Sequence, residues 1–315
     1  MKEYIIRLLK KNDFISGEEI AKHFGVSRTA VWKHIDTLRK QGYRIDSIKN
    51  KGYRLVSKPD ILLPFEIQEK LHTNIIGKKI QYFPTIHSTN TYAKQIIKQD
   101  IKDGTVIVSD IQTEGRGRKN RSWQSTTNGL WFSIILFPNL TPNNGMLLTM
   151  ASSISIVQGI KEITGLNPII KWPNDVLIEN KKVCGILTEI NAEMDKINYA
   201  IIGIGINVNN QIDTSLEDIA ISLKIKVGSP VSRLNLLSSI LNYMDQYYNQ
   251  INKGDFFVIR NKWLEYSGII GRKIIAHDEK TTYQGIVTDI DDSGCIILKT
   301  TSGIHRILSG DIEYI

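Results

Sequence analysis

The sequence predicts an α+β protein of more than one domain. Its 315 residues exceed the length of one ordinary domain, and 41% are hydrophobic, which is enough for sizeable cores. Helical apolar spacing dominates residues 1–63, helical and strand patterns alternate over residues 64–267, and short strands with glycine turns fill residues 268–315. We therefore expect three domains: a helical N-terminal one, a central α/β one with a mixed sheet and helices, and a small C-terminal β-barrel.

The composition excludes several classes of protein. The longest apolar stretches, such as Leu130–Phe137, fall far short of the roughly 18 to 20 residues that cross a bilayer. The charged N-terminus lacks the apolar core of a secretory signal. Cys184 and Cys295 lie far apart, and neither has a CxxC partner, which excludes a disulfide scaffold and a cysteine zinc site. We expect a cytoplasmic protein without membrane contact.

Positive charge is concentrated at the N-terminus. The net charge is +8, and residues 1–63 hold 14 Lys and Arg against 7 Asp and Glu, whereas the remaining residues hold 26 against 25. Such a concentrated field attracts a polyanion such as DNA. A solvated basic surface would explain the charge equally well, so the local pattern has to decide between them.

The first forty residues have a helix-turn-helix pattern. Ser16 and Glu19 fit a capping box at the start of a short second helix. Gly25 supplies the turn after it, and Ser27 caps a third helix with one apolar stripe. A turn between two such helices, the second with a polar outer face, is typical of DNA-binding modules.

A hairpin follows, with strands at Tyr43–Ile48 and Gly52–Val56 and a basic tip. It predicts the wing of a winged helix. Winged helices also serve as protein-contact modules, but the concentrated charge favours DNA. The candidate DNA-binding residues lie on the outer face of the third helix and at the hairpin tip: Ser27, Arg28, Thr29, Trp32, Lys33, Lys49 and Lys51.

The central region lacks the familiar nucleotide and hydrolase motifs. It has no GxxxxGK[ST] P-loop, no GxSxG elbow and no HExxH. Residues 203–208 begin like a dinucleotide fingerprint, but Val208 stands where the third glycine belongs. A P-loop enzyme, a serine hydrolase and a zinc protease are therefore disfavoured.

Two polar segments stand out in the first half of this region. His87–Asn90 precedes a helical pattern, where it could cap the helix or bind a polar group; alone, the cap is the better explanation. Residues 112–123 follow a strand and place four cations within six residues, at positions 116–121. Such a loop is costly to order without an anion, and arginine forks match phosphate and carboxylate oxygens. Trp123 could stack on an adenine ring or anchor the loop.

Two more segments follow. Residues 171–175, KWPND, form a fixed bend before a hairpin whose second strand begins near Lys182. Asp175 could hold Mg²⁺, and Lys182 could equally be an exposed charge. Residues 203–209 place two glycines in a strand, where a ligand or another backbone can approach, and Asn207 could bond a nucleotide. A tightly packed buried strand is the alternative.

Together and in this order, the four segments resemble the biotin–protein ligase family, with GRGR at residues 115–118 and KWPND as its most specific signatures. The N-terminal winged helix narrows the resemblance to the bifunctional biotin ligase/biotin-operon repressors of bacteria, over essentially the whole chain. Asn120 stands where many members have a glycine. Asparagine adopts left-handed backbone conformations more readily than most residues, so we expect the loop to be retained.

The resemblance implies a reaction and its residues. Biotin and ATP, with Mg²⁺, would give biotinyl-5′-AMP without a prosthetic group, and a carrier lysine would then accept biotin. Arg118 and Lys182 would be catalytic, and Asp175 would hold the Mg²⁺. The implied biotin site is Ser88, Thr89, Asn90, Gln112, Gly115, Arg116, Gly117, Arg118 and Lys182. The implied ATP and adenylate site is Arg118, Arg121, Trp123, Asp175 and Asn207.

The resemblance also implies an SH3-like barrel at the C-terminus and three partners. These are a biotin carboxyl carrier protein of acetyl-CoA carboxylase or a similar carboxylase, operator DNA with biotinyl-5′-AMP as corepressor, and a second copy of the chain on ligand binding. Two alternatives remain: a DNA-binding small-molecule sensor without catalysis, and a lipoate-type acyl ligase. The cationic loop with Lys182 argues against the first, and GRGR with KWPND argues against the second.

Overall fold

A computed structural model describes residues 1–277, 281–308 and 310–315. The chain divides into two compact units, residues 1–61 and residues 62–315. The further division of the second unit at residue 267 stays a prediction. Within the described ranges, no helix is both long and apolar enough to cross a bilayer.

The first unit is a three-helix module followed by a hairpin. The capping box at Ser16 and Glu19 is present, Gly25 ends the second helix with φ 63°, and Ser27 caps the third, so the local predictions are confirmed. The elements are α1 (Lys2–Lys11), α2 (Gly17–Phe24), α3 (Arg28–Lys40), β1 (Arg44–Ile48) and β2 (Gly52–Ser57).

One contact in this unit was not predicted from the sequence. Ile15, in the turn before α2, pairs with Tyr53 of β2 through two backbone hydrogen bonds of 3.0 and 2.8 Å. A Cβ at Gly52 would overlap the Ile15 carbonyl oxygen, so a glycine is required there. The hairpin is thereby fixed to the helical part of its own unit.

The second unit is built on a mixed sheet, as predicted, and this sheet has seven strands. The strand order is β3-β4-β5-β9-β8-β7-β6, in which β3 and β4 are parallel and the other neighbours are antiparallel. The strands are β3 (Ile80–Ile86), β4 (Thr105–Gln112), β5 (Leu130–Leu136), β6 (Ile169–Lys171), β7 (Asp175–Ile178), β8 (Lys181–Ala192) and β9 (Ile197–Ile206).

Helices cover the sheet and define two apolar clusters. A small cluster under α5 joins Ala93 and Ile96 to Ile107, Ile135 and Ile201 of the sheet. The main cluster joins the sheet to the long helices and to the C-terminal strands. The helices are α4 (Pro64–Gln68), α5 (Thr89–Ile96), α6 (Met146–Thr164), α7 (Leu223–Val227), α8 (Arg233–Asn252) and α9 (Phe256–Ser267).

The C-terminal strands form an antiparallel sheet of order β13-β12-β11-β10-β14. The short strands predicted for residues 268–315 are present, and there are five of them among the described residues. Among the described residues of this region (273–277, 281–308 and 310–315), β13 and β14 are the two edge strands, and they do not pair with each other. The SH3-like barrel therefore stays a prediction. The strands are β10 (Lys273–His277), β11 (Thr282–Ile290), β12 (Ile296–Thr300), β13 (Gly303–Ile307) and β14 (Asp311–Tyr314).

Candidate active site

A cavity of about 550 Å³ lies over the strands that carry the four polar segments. Every one of those segments contributes to its wall, although they lie up to about 120 residues apart in the sequence. The wall residues singled out by the sequence are Ser88, Thr89, Asn90, Gln112, Arg116, Gly117, Arg118, Arg121, Trp123, Asp175, Lys182 and Asn207.

The start of α5 forms one end of the cavity. Ser88 caps the helix, since its side chain accepts from the Thr91 backbone N–H at 3.4 Å. The Gln112 Oε1 accepts from the Thr89 backbone N–H at 2.8 Å, and its Nε2 donates to Ser125 Oγ at 2.8 Å. The segment can therefore do both things predicted for it. Ser88 caps the helix, while Thr89 and Gln112 remain in the cavity wall, where they can bind a polar group.

The cationic loop is folded as a tight antiparallel turn. Arg116 and Ser122 form a β-bridge, and the Gly117 N–H donates to the Arg121 carbonyl at 2.7 Å. At the tip, Lys119 and Asn120 have φ values of 53° and 58°. The left-handed conformation expected for Asn120 is therefore present, and the preceding lysine shares it at some conformational cost.

The C-terminal strand supplies a counter-ion to this loop. Asp311 of β14 lies 3.0 Å from Lys119 Nζ, 3.3 Å from Arg121 Nη2 and 3.6 Å from Arg118 Nη1. Burial would raise the pKa of Asp311, but the hydrogen bond from Lys119 and the charges of Lys119, Arg118 and Arg121 outweigh burial and hold it below its ordinary value. Three of the four loop cations thus share one carboxylate.

Arg118 also joins the loop to the KWPND bend. Its Nη1 donates to Asn174 Oδ1 at 3.1 Å, and its Nη2 donates to the Gly310 carbonyl at 3.1 Å. Asn174 is itself fixed on β8, because its Nδ2 donates to the Ile186 carbonyl at 2.7 Å. The guanidinium is therefore held at the cavity wall by two different parts of the chain.

Lys182 and Asp175 form an ion pair inside the cavity. The Nζ–Oδ1 distance is 2.7 Å, but the Asp175 oxygen is buried and has no hydrogen-bond partner of suitable geometry. The backbone of Lys182 is fixed by hydrogen bonds of 2.8 and 3.0 Å with Ile219 and Ile221. A cation on a fixed backbone, in a half-buried wall, suits the stabilisation of developing negative charge.

Trp123 lies on a floor of two glycines. Gly185 and Gly205 are cross-strand partners on β8 and β9, and a Cβ at either would meet the indole, at 2.9 Å in the case of Gly185. The Lys182 ammonium lies 5.2 Å from the ring centroid, within cation–π range. This placement favours the anchoring role weighed for Trp123 and explains Gly205, whereas a Cβ at Gly203 would meet the Asn90 amide.

Asn207 lies in the cavity wall as a buried residue. Its backbone N–H donates to the Val183 carbonyl at 2.9 Å, and its Oδ1 accepts from Asn210 Nδ2 at 3.1 Å. The side-chain amide keeps donors that these contacts do not use. It can therefore bond a further acceptor from the cavity.

Three parts of the chain match known protein families. Residues 82–207 match the biotin/lipoate A/B protein ligase family, residues 2–54 match an HTH domain, and residues 269–314 match the biotin protein ligase C-terminal domain. The first match covers the segments that line the cavity, and the second covers the helix-turn-helix.

A full-length relative decides the family. The bifunctional ligase/repressor BirA of Bacillus subtilis is 42% identical over 306 residues, which cover 96% of this chain and 94% of the relative. This chain belongs to the bifunctional biotin–protein ligase/repressor family. The BirA protein of Escherichia coli is 26% identical and covers 98% of this chain and 95% of its own length.

A solved structure of a family member agrees with the fold of the ligase part. The biotin protein ligase of Aquifex aeolicus in complex with biotin and ATP is 29% identical, with a TM-score of 0.66 over 76% of this chain and 99% of its own. The predicted central ligase fold of this bifunctional family is thus confirmed.

The remaining predicted residues lie outside the cavity wall. Gly115 lies behind it, where a Cβ would overlap the Trp123 carbonyl oxygen. The DNA-binding candidates all lie in the first unit and are exposed, Trp32 to 53%. Their contact with DNA stays a prediction of the sequence.

Three polar residues at or behind the wall had no predicted role: Ser133, Glu189 and Asp311. A fourth, Asn174, was predicted only as part of the KWPND bend. Two of the three carried a usable signal. Ser133 interrupts the apolar run Leu130–Phe137, and Glu189 interrupts the largely apolar strand β8. Asp311 carried none, because its role depends on a contact across 192 residues of sequence.

Proposed function

We propose that this chain joins biotin to ATP as biotinyl-5′-AMP, transfers biotin to a lysine of a biotin carboxyl carrier protein, and represses biotin genes when it holds the adenylate. Acetyl-CoA carboxylase and similar carboxylases would supply the carrier. The protein would act in the cytoplasm. It would use an N-terminal winged helix over residues 1–63, a ligase domain over 64–267 and an SH3-like barrel over 268–315.

The observation that carries the proposal is the convergence of four separate segments on one cavity. One end offers uncharged hydrogen-bonding groups at Thr89 and Gln112, which suit the ureido ring of biotin. The middle offers the cations Arg118 and Lys182, which suit a carboxylate and a phosphate. The far end offers the Asn207 amide for the nucleotide.

The first chemical step follows from this order of groups. A biotin carboxylate oxygen attacks the α-phosphorus of ATP, and the bond from that phosphorus to pyrophosphate breaks. Negative charge builds up between the carboxylate and the phosphate, where the Lys182 and Arg118 cations are positioned to stabilise it. Arg116 and Arg121 would then close over the adenylate, with the backbone of Gly117 allowing close approach. Trp123 would contact the adenylate from its place on the glycine floor, and Gly115 would support the loop from behind the wall.

The second step needs no covalent intermediate with the enzyme. The carrier lysine amine attacks the biotin carbonyl, the new amide bond forms, and AMP leaves with the electrons of the anhydride bond. The same two cations stabilise the leaving phosphate. The loop would have to admit the lysine while it retains the adenylate.

Mg²⁺ would enter with ATP. The buried Asp175 oxygen that lacks a hydrogen-bond donor suits a hard cation, although the Lys182 ammonium already lies 2.7 Å from it. In the described ranges, no three acidic, histidine or cysteine side chains form a metal cluster. The phosphates would therefore provide most of the ligands and Asp175 one, and the ion would supply charge neutralisation.

The repressor function would reside in the first unit. The outer face of α3 and the basic tip of the β1–β2 hairpin present exposed side chains that suit the major groove and the phosphate backbone. One winged helix reads one half-site, so we infer that two copies associate on operator DNA once the adenylate is bound. Sedimentation with and without biotin plus ATP would test this step.

Labelled biotin tests the proposed activity against its alternatives. With ATP and a carrier domain, label should appear on the carrier lysine, and labelled lipoate should not replace it. Isothermal titration should show binding of biotin and none of lipoate. A lipoate-type ligase would give the reverse, and a sensor without catalysis would bind biotin but leave the carrier unlabelled.

A further inference from the structure

Phe14 lies in the turn before α2 and faces two cations of the β1–β2 hairpin. Its side chain is half-buried. The Lys51 ammonium lies 5.5 Å from the centroid of the ring, and the central carbon of the Arg54 guanidinium lies 5.3 Å from it, both within cation–π range. One aromatic side chain therefore joins the basic part of the hairpin to the helical part of the first unit.

The backbone beside Phe14 is already fixed to the hairpin. Its neighbour Ile15 pairs with Tyr53 through two backbone hydrogen bonds of 3.0 and 2.8 Å. Only the long side chains of the two cations remain to be ordered, and such side chains lose much rotamer freedom when a ligand fixes them. A ring that holds them in advance reduces the entropy lost on binding.

This cluster lies beside the start of α3. A Cβ at Gly17, three residues after Phe14, would meet the Tyr53 ring at 3.2 Å and the Arg28 side chain at 3.6 Å. Arg28 is the first residue of α3 and one of the predicted DNA contacts. The hairpin strand β2 and the first turn of α3 therefore converge on the segment that begins with Phe14.

An aromatic ring holds a cation without neutralising it. The ring carries no net charge, and a cation above its face keeps N–H donors on its other sides. Within the described part of the chain, Lys51 has no carboxylate partner, so its full charge remains available to an anion. Arg54 shares Asp46, whose Oδ2 lies 3.1 Å from Nη2, but this contact uses one of its five N–H donors.

We propose that Phe14 is a positioning residue for DNA binding, which holds Lys51 and Arg54 beside the start of α3 with donors available to backbone phosphates. Arg54 thereby joins the DNA-binding residues. The inference rests on the proposed repressor function and extends it to the turn before α2, where no DNA-binding role was predicted. Without the ring, the two side chains sample many rotamers, so each phosphate contact costs more entropy.

Two substitutions separate the ring face from simple packing: Phe14→Leu keeps an apolar side chain, and Phe14→Tyr keeps the ring. Binding is measured on the full chain with biotin and ATP, using a duplex that the wild type selects from a random-sequence library. Phe14→Leu should raise the Kd about fivefold, and Phe14→Tyr should stay within about twofold of the wild type. A wild-type Kd in Phe14→Leu, or an equal rise in Phe14→Tyr, would overturn the inference.

The salt dependence of binding identifies the contacts that are lost. Fewer phosphate contacts make affinity fall less steeply with salt, so Phe14→Leu should have a shallower salt dependence than the wild type. In a background with Lys51→Ala and Arg54→Ala, Phe14→Leu should change the Kd by less than about twofold, because no cation remains above the ring. An unchanged salt dependence, or the full effect in that background, would contradict the inference.

Tyr4→Leu is the matched control. Tyr4 is an exposed aromatic residue of α1 in the same unit, with the Arg7 guanidinium 5.8 Å from its ring centroid. Its loss should leave the Kd within about twofold of the wild type. An equal loss of binding in Tyr4→Leu would overturn the specific role of Phe14. A wild type that selects no duplex would overturn the proposed repressor function, whereas failure confined to the Phe14 variants would overturn this inference alone.

Discussion

Arg118 of the cationic loop and Asp311 of the last strand lie 3.6 Å apart, although 192 residues separate them in the sequence. The same carboxylate faces Lys119 and Arg121. A single acid on β14 therefore offsets the mutual repulsion of the loop cations. Through Asp311, the C-terminal strand forms part of the cavity wall.

We predict that Asp311→Asn loosens the loop. Its three cations would lose their counter-ion, so trypsin should cleave the variant faster after Arg118, Lys119 or Arg121 than it cleaves the wild type. Glu313→Gln is the matched control, because Glu313 lies on the same strand and faces His277 instead. Equal cleavage rates in Asp311→Asn and the wild type would show that the carboxylate does not hold the loop.

The pH dependence of this contact has a definite sign. Because the pKa of Asp311 is lowered on folding, its contribution to stability is complete above the unfolded value of about 3.9 and is lost as pH falls through the folded value. We therefore predict constant trypsin sensitivity of the loop between about pH 6 and pH 8. If the loop became more sensitive to trypsin as the pH fell within that window, a group other than Asp311 would hold the loop.

The local predictions succeeded where neighbouring residues determine the structure. The cap at Ser16, the turn at Gly25 and the left-handed Asn120 each follow from the preferences of one or two residues. The resemblance also identified segments that converge on the cavity. In these cases, sequence pattern and tertiary structure favour the same conformation.

The missed features depend on contacts between distant segments. β14 is only four residues long, and its value to the site comes from Asp311 facing a loop near residue 118. The contacts of Asn90 with Glu189 and Ser133 depend on one helix and two distant strands meeting at that residue. Neither could be read from propensity or spacing, because both require the register of the sheet.

We predict that Arg118→Gly weakens retention of biotinyl-5′-AMP more than it weakens binding of biotin. The loss of its charge-assisted contacts should cost about 1.5 to 3 kcal/mol. Release of labelled adenylate into solution measures the effect. Lys119→Gly is a useful control, because it also removes one positive charge and glycine readily adopts the backbone φ of 53° at this position. Equal leakage from both variants would assign the effect to net charge.

We predict that Gly205→Ala displaces Trp123 and destabilises the protein by about 1 to 3 kcal/mol, since the new methyl group would overlap the indole. Thermal unfolding measures the loss. In a Trp123→Ala background the methyl group has no ring to displace, so the same substitution should cost much less. Equal costs in both backgrounds would place the strain elsewhere.

We predict that removal of residues 1–61 abolishes operator binding and leaves adenylate synthesis within about twofold of the wild type. Nearly all the excess positive charge lies in that unit, which supplies the electrostatic part of DNA affinity. The truncated chain should begin at Leu62, which is fully buried in the core of the second unit. In the full chain, Arg28→Ala and Lys33→Ala should weaken DNA binding and leave adenylate synthesis unchanged.

A truncated protein that still shifts operator DNA at physiological salt would contradict the assignment of DNA binding to this unit. A truncated protein that loses adenylation would show that the first unit supports the ligase. Melting curves of the truncated chain separate that result from simple unfolding.

The proposed function depends on the activation of biotin with ATP in one cavity, and exchange of labelled pyrophosphate into ATP measures that step directly. We predict exchange that requires biotin, is not supported by lipoate, and falls about 100-fold in Lys182→Gln, which loses the cation facing the developing charge. Titration should show that this variant still binds biotin. A wild-type protein that binds biotin and shifts operator DNA, yet gives no biotin-dependent exchange, would contradict the account and leave a sensor without catalysis.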